Sequence, residues 1–407
     1  MTLYEIRKIF CKTGNKIALA ILAGVFFLLV FYIINAVKWV DHTGTSHNGP
    51  EAVRLLREAQ EAWEGDLTEE KIAEVIREEQ RVNQKYQQDS ENIRESNQNY
   101  AGKQGFAGIR ELINLAYSDF QDYDYYRIGS LQPEESAQFY KNRIHSLRNW
   151  LGGEGEKSFT AKEKEFLLEK YEEIKTPFFY TWVQGWEELF TYFPTLILFL
   201  SILLGFLCAG IFSGEFQTRA DAVYYSSMEG RRKASAAKIK AGVVVCTALY
   251  GAVTAMFTLL ILAVLGSSGW NCPIQVIFGY WKSFYNITAL QAYLLMAAGG
   301  YVGTLFLVLL TMLVSAWSRS SLLAATVPLL LTIAPDLLSS VSNPWVQKIL
   351  GMLPAQLLQL PGALRSFTLY TIGGNVLGAA QILPLLYGAV SLALPFVIYR
   401  IFRRKEC

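Results

Sequence analysis

"GEFQTRADAVYYSSMEGRRKASAAKIK", residues 214–240, separates two uncharged apolar runs, 189–212 and 241–266. It holds six basic groups, three acidic groups and the adjacent tyrosines Tyr224 and Tyr225. Joining two neighbouring helices takes only a handful of residues. The surplus length and the aromatic pair therefore imply a contact with something else. The flanking runs decide the fold. At 1.5 Å per residue, about 20 apolar residues cross a hydrocarbon core of about 30 Å, and both runs exceed that length.

Four more runs of the same kind follow from hydropathy, at 17–37, 289–317, 321–340 and 382–400. The intervening residues 41–188 are rich in Glu, Arg, Lys, Gln and Asn. An all-α integral membrane protein reconciles these two populations. The expected layout is six transmembrane helices, an N-terminal interfacial helix at 1–16 and a helical extracytoplasmic domain at 38–188. The remaining spans, two to six, fall in 189–407. The first run is too long for the apolar core of a signal peptide and has no small-residue cleavage site after it, so it reads as a permanent span.

Basic residues in short flanks set the expected orientation. Arg7, Lys8, Lys12 and Lys16 precede the first span, and Arg219, Arg231, Arg232, Lys233, Lys238 and Lys240 lie between the second and third. Arg400, Arg403, Arg404 and Lys405 follow the last span, whereas 267–288 contains only Lys282, and 341–381 only Lys348 and Arg365. Both termini and 214–240 are thus expected in the cytoplasm of a cell membrane, and 38–188 outside it. Asp336, the one acid in an apolar run, reads as a hydrated interfacial carboxylate rather than a coupling-ion ligand.

The outward domain has helical periodicity. Val53, Leu56, Ala59 and Trp63 form one stripe. Asp66 with Glu69 suggests a capping box ahead of Ile72, Val75, Ile76 and Val82. Phe106, Ile109, Ile113 and Phe120 form another stripe. Phe139, Arg143, Ile144, Leu147 and Leu151 end at Gly152-Gly153, and Thr160 with Glu163 caps a fifth segment that Pro177 closes. Such a domain is expected to fold alone. Its tyrosine cluster, 122–129, reads as a packed loop edge rather than a ligand site.

The catalytic motifs are negative. "GGEGEKSF" (152–159) has Glu156 where a phosphate loop needs glycine before the lysine. His42, His47 and His145 lack metal-ligand spacing, and the five cysteines form no paired motif. Cys208 and Cys246 lie in apolar runs and read as small hydrophobes. The chain reads as a non-enzyme with no cofactor or metal of its own.

Glu215, Tyr224-Tyr225, Ser226-Ser227, Arg231-Arg232 and Lys238 together resemble a motif of the permease subunits of type-2 ABC exporters. There the second span runs into a glutamate, followed by Gly-Thr, leucines, a Ser-x-Pro turn, an arginine and a lysine that opens the third span. Here Arg219-Ala220 replaces Gly-Thr and Met228 replaces the proline, while the spacing agrees without a gap. The resemblance implies a coupling helix, with Val223, Tyr224 and Tyr225 docking on a separate ATP-binding subunit. It also implies ATP and magnesium on that partner, a second permease subunit (identical or related), and a bacterial membrane. Residues 1–16, with Leu3, Ile6 and Phe10 on one face, resemble the family's elbow helix. Residues 343–367 resemble its short outer helices that dip back into the membrane. A second reading stays open: a membrane sensor or scaffold whose outward domain binds a ligand and signals through the same loop.

Overall fold

The computed structural model describes residues 1–86, 92–217, 228–338, 341 and 344–404. Two helices open the chain, α1 (Thr2–Cys11) and α2 (Thr13–Ala36). The domain follows, with α3 (Pro50–Glu61), α4 (Glu69–Lys85), α5 (Ile93–Lys103), α6 (Ala107–Tyr117), α7 (Phe139–Gly152) and α8 (Ala161–Glu172). The long helices are α9 (Gln184–Gln217), α10 (Met228–Leu265), α11 (Ala289–Ser318) and α16 (Ala379–Arg404). Between the last two lie α12 (Ser321–Leu337) and the short helices α13 (Pro344–Leu350), α14 (Ala355–Leu358) and α15 (Leu360–Arg365).

Five helices, α2, α9, α10, α11 and α16, are long and apolar enough to cross a membrane. The sixth apolar run forms α12, 17 residues long with Pro328 and Pro335 inside it. Large apolar side chains on α2 and α16, such as Leu28, Phe31, Leu385 and Phe396, stand open on the outside of the bundle. A lipid surround removes the cost of that exposure. α9 carries the buried centre, with Leu196, Ile197, Leu200, Leu204 and Phe212 closed off. Small residues let α11 approach its neighbours. A Cβ on Gly303 would stand 3.0 Å from both Leu357 and Leu358 of α14, and Ser201 and Thr304 share a hydrogen bond of 2.7 Å across α9 and α11. Close backbone contact and hydroxyl pairs are how helices hold together where no water is displaced.

The domain departs from the all-helical expectation. β1 (Lys38–Val40) pairs with β2 (Ser46–Asn48), and β3 (Gly65–Asp66) pairs antiparallel with β4 (Phe179–Tyr180). Asp66 is therefore on a strand, and the cap of α4 is Thr68, whose side chain accepts from Lys71 N–H. α5, with its Asn92 cap, had no apolar stripe to announce it. Phe120 lies beyond the end of α6 and stacks on Trp150 with ring centroids 4.9 Å apart. The Thr160–Glu163 capping box and the stop of α7 at Gly152 are as the residues suggest. A third two-stranded sheet, β5 (Leu369–Ile372) with β6 (Asn375–Gly378), precedes α16.

The domain core is completed from outside the domain. Cys272, Val276 and Trp281, from the connection between α10 and α11, pack with Ile76, Ile109, Phe139 and Phe178. Burial pushes the Cys272 thiol up to about 12, so it acts as an apolar filler there. Arg143 of α7 is buried with its guanidinium 3.9 Å from the Tyr171 ring and donates to the carbonyls of Trp281 and Ser283 at 3.2 and 2.9 Å. Tyr171 donates to the Lys282 carbonyl at 2.6 Å. The bundle thus has two distinct ends, one carrying the domain and one where α9 ends at Gln217 and α10 begins at Met228.

Candidate functional site: an ionic junction at the loop end

Residues 218–227 lie outside the described residues, and they are flanked by the last turn of α9 and the first turns of α10. The ion pairs there gather three separate segments. Lys238 of α10 is fully buried and donates to Glu215 of α9 at 2.7 Å and to Glu5 of α1 at 2.9 Å. Lys8, one turn along α1 from Glu5, pairs with the same Glu215 oxygen. Two ammoniums and two carboxylates thus alternate along Lys8, Glu215, Lys238 and Glu5, with only Lys8 partly open at 39% side-chain exposure.

Physical chemistry explains why the buried ammonium is met by two carboxylates. A lone ammonium in a low-dielectric site costs several kcal/mol in lost hydration. Lys238 has no solvent access, and two carboxylates face it in place of water. Helix geometry supplies the partners: Glu5 and Ile9 sit four residues apart on the buried face of α1. The buried face of α1 is therefore offset from the apolar stripe that the sequence suggests, since Leu3 is 81% exposed.

Further contacts tie the α1–α2 corner to α9. Asn15 is buried and donates to Ile9 O at 2.8 Å and to Leu207 O at 3.4 Å. Lys12 donates to Gly210 O at 3.3 Å. Its ammonium is pulled below the ordinary lysine range by partial desolvation and then by the like charges of Lys8 and Lys238. Gly210 makes this approach possible, because a Cβ there would lie 2.8 Å from the Lys12 nitrogen.

The other side of α9 is held by hydroxyls. Ser315 of α11 donates to Ala209 O at 2.6 Å and accepts from Ser213 N–H at 3.0 Å. Ser213 and Ser321, at the start of α12, share a hydrogen bond of 2.7 Å. Arg319, in the left-handed conformation that turns α11 into α12, places its guanidinium 4.8 Å over the Phe216 ring. Residues 209–217, the last turns of α9, are thus the meeting point of α1, α10, α11 and α12.

Of the residues singled out in the sequence, the structure brings Glu215 and Lys238 together in this junction. Both are closed to solvent, so neither offers a surface to a partner; they join α9 to α10 from within. Arg232 is exposed near the start of α10. Val223, Tyr224, Tyr225, Ser226 and Ser227 lie outside the described residues, as does the Arg231 side chain. Sequence reading missed Glu5 and Asn15, and took Lys8 only as a charge flanking the first span. The available signal was Glu5, the one acid among the first 16 residues, set in an otherwise basic segment. Among the described residues, no group of three or more His, Cys, Asp and Glu is placed to hold a metal ion. No family model, curated protein or solved structure matches the chain, so its function is read from the geometry of this junction.

Proposed function

We propose that the chain is the transmembrane permease subunit of an ATP-driven ABC transporter, working as an exporter with a separate ATP-binding subunit docked on the 214–240 segment. The observation that carries this reading is Lys238, fully buried between Glu5 and Glu215. A loop used only to connect two spans has no need of a buried four-charge clamp at its root. A loop that transmits force does, because rigid anchorage converts a push on the loop into movement of α9, α10 and α1 together. ATP and magnesium belong to the partner subunit, and a second permease subunit completes the pathway.

The layout has six crossings in this reading, with α12 as the fifth. Its first residue bonds Ser213 at the loop end, and Asp336 near its last turn lines a cavity with Glu163 of the domain. That reach supports a full crossing despite a length of about 26 Å. The loop end, with both termini, faces the cytoplasm of a bacterial cell, as the basic flanks indicate.

The sensor or scaffold reading has one observation in its favour. Arg143 locks the domain onto the α10–α11 connection, a route by which a domain ligand would reach the bundle. Purification of the tagged chain from its native membrane separates the two. The transporter reading predicts an associated ATP-binding subunit whose hydrolysis rate changes on assembly. A complex without any nucleotide-hydrolysing protein would overturn it in favour of the sensor.

A further inference from the structure

At the domain end of α9, on the face turned away from the buried centre, a cavity of about 480 Å³ opens between α9 and the α14–α15 corner. Thr191 and Thr195 of α9, Gln359, Phe278 and Arg365 are among the groups that line it. The single formal charge in that lining is Arg365. Its guanidinium lies 4.4 Å over the ring of the buried Tyr280, next to Gly279, which adopts the left-handed conformation. Among the described residues, no carboxylate forms an ion pair with Arg365. Glu187, one turn nearer the domain, accepts from Phe278 N–H at 3.0 Å and is not part of the lining.

Below the hydroxyls the same helical face turns apolar. Leu198, Ile202 and Phe206 follow Thr191 and Thr195 at spacings of three, four and four residues. Ile202 and Phe206 are 38% and 49% exposed. They also line a second, smaller cavity of about 160 Å³ with Leu307 and the α12 residues Pro328 and Leu329. From Thr195 to Phe206 is 11 residues, a rise of about 16 Å, close to half of a hydrocarbon core of about 30 Å. Phe278 and Trp270, 66% and 55% exposed, mark the headgroup level at which aromatic rings collect.

We infer that this groove holds an anionic phospholipid of the leaflet on the domain side. The phosphate sits at Arg365 with Thr191, Thr195 and Gln359 as hydrogen-bond partners, and one acyl chain lies along Leu198, Ile202 and Phe206. The charge pattern selects the headgroup. A planar guanidinium stacked on an aromatic ring is pre-set for two-point contact with phosphate oxygens. No acid in the lining rewards the ammonium of a zwitterionic lipid. The continuous polar-then-apolar stripe selects a lipid over a free anion. This inference stands apart from the transporter reading, since it needs only that the bundle lies in a bilayer.

Native mass spectrometry of the full chain, released from micelles containing equal amounts of phosphatidylglycerol and phosphatidylcholine, tests it. The wild type should retain phosphatidylglycerol over phosphatidylcholine by about tenfold, the factor that one charge-assisted hydrogen bond supplies. Arg365→Gln should abolish the preference, and Arg365→Lys should keep part of it. Lys348→Gln, a charge change elsewhere at the domain end, should leave it intact. Thermal unfolding of each variant in phosphatidylcholine alone verifies that the fold survives. An unchanged preference in a folded Arg365→Gln protein would overturn the assignment. So would displacement of the lipid by millimolar inorganic phosphate, which would make the groove a free-anion site.

Discussion

The ammonium of Lys238 lies 2.7 Å from the carboxylate of Glu215, 23 residues earlier in the chain, and neither side chain reaches solvent. α9 and α10 are thereby joined at the root of their connecting loop by a charge pair that water cannot replace. Glu5 completes the site from a third helix, so α1 is part of the clamp rather than a neighbour of it.

Removing one member should cost far more than removing the pair. Lys238→Met leaves two buried carboxylates facing each other, and Glu215→Gln leaves Lys238 with only one neutralising partner; each should lose about 3–5 kcal/mol. Combining Lys238→Met with Glu5→Gln and Glu215→Gln should recover much of that loss, because no net charge remains buried. Lys8→Met, at the open edge, should cost about 1 kcal/mol or less. Thermal unfolding of detergent-solubilised variants, followed by size-exclusion, checks the order. Equal destabilisation by Lys8→Met and Lys238→Met would remove the argument from burial.

Arg143 should prove irreplaceable by lysine. Its planar head bonds two carbonyls while lying over Tyr171, and an ammonium on a flexible stem cannot reproduce that arrangement. Arg143→Lys and Arg143→Ala should both loosen the contact with residues 281–283 and raise protease cleavage there, with the bundle itself intact. A cleavage pattern identical to wild type would show that the domain is held by its apolar contacts alone.

The domain should not be fully stable by itself. A fragment spanning 45–185 lacks Cys272, Val276 and Trp281, which pack into its core. It should be helical by far-UV circular dichroism yet unfold over a broad temperature range. Appending residues 267–288 through a flexible linker should sharpen that transition and raise its midpoint. A cooperative transition in the shorter fragment, equal to that of the longer one, would contradict the packing.

The two ends of the bundle make opposite labelling predictions. Ser130 and Ser366 are exposed at the domain end, and Arg232 is exposed near the loop. In a cysteine-free background, Ser130→Cys and Ser366→Cys should react with an impermeant reagent from one side, and Arg232→Cys from the other. Labelling of Ser366→Cys from the same side as Arg232→Cys would mean that α12 does not cross.

Hydropathy made the long helices legible because their signal is local: a run of apolar residues is visible without knowing its neighbours. The capping box at Thr160 and the stop at Gly152 are local for the same reason. What stayed hidden depends on distance in sequence. β3 and β4 are two residues each and exist only because Gly65–Asp66 meets Phe179–Tyr180 across more than 100 positions. Glu215 and Lys238 stood out through the resemblance to a family motif, but nothing in that motif says that Glu5 also pairs with Lys238. That third partner comes from a helix separated from α10 by the whole domain. The two-sided grip on Arg143 is equally invisible, since both acceptors are backbone carbonyls from another connection.

Under the proposed function, segment 214–240 delivers work from a separate ATP-hydrolysing subunit, and copurification from native membranes tests this most directly. Tyr224 and Tyr225 are the aromatic groups of the loop best suited to fill a partner's groove, where such residues contribute on the order of 2 kcal/mol or more each. The wild-type chain should bring down an ATP-binding subunit, and the double variant Tyr224→Ala, Tyr225→Ala should lose most of it while inserting and unfolding like the wild type. Capture of the ATP-binding subunit at undiminished strength by the double variant, or its absence from the wild-type preparation, would contradict the account.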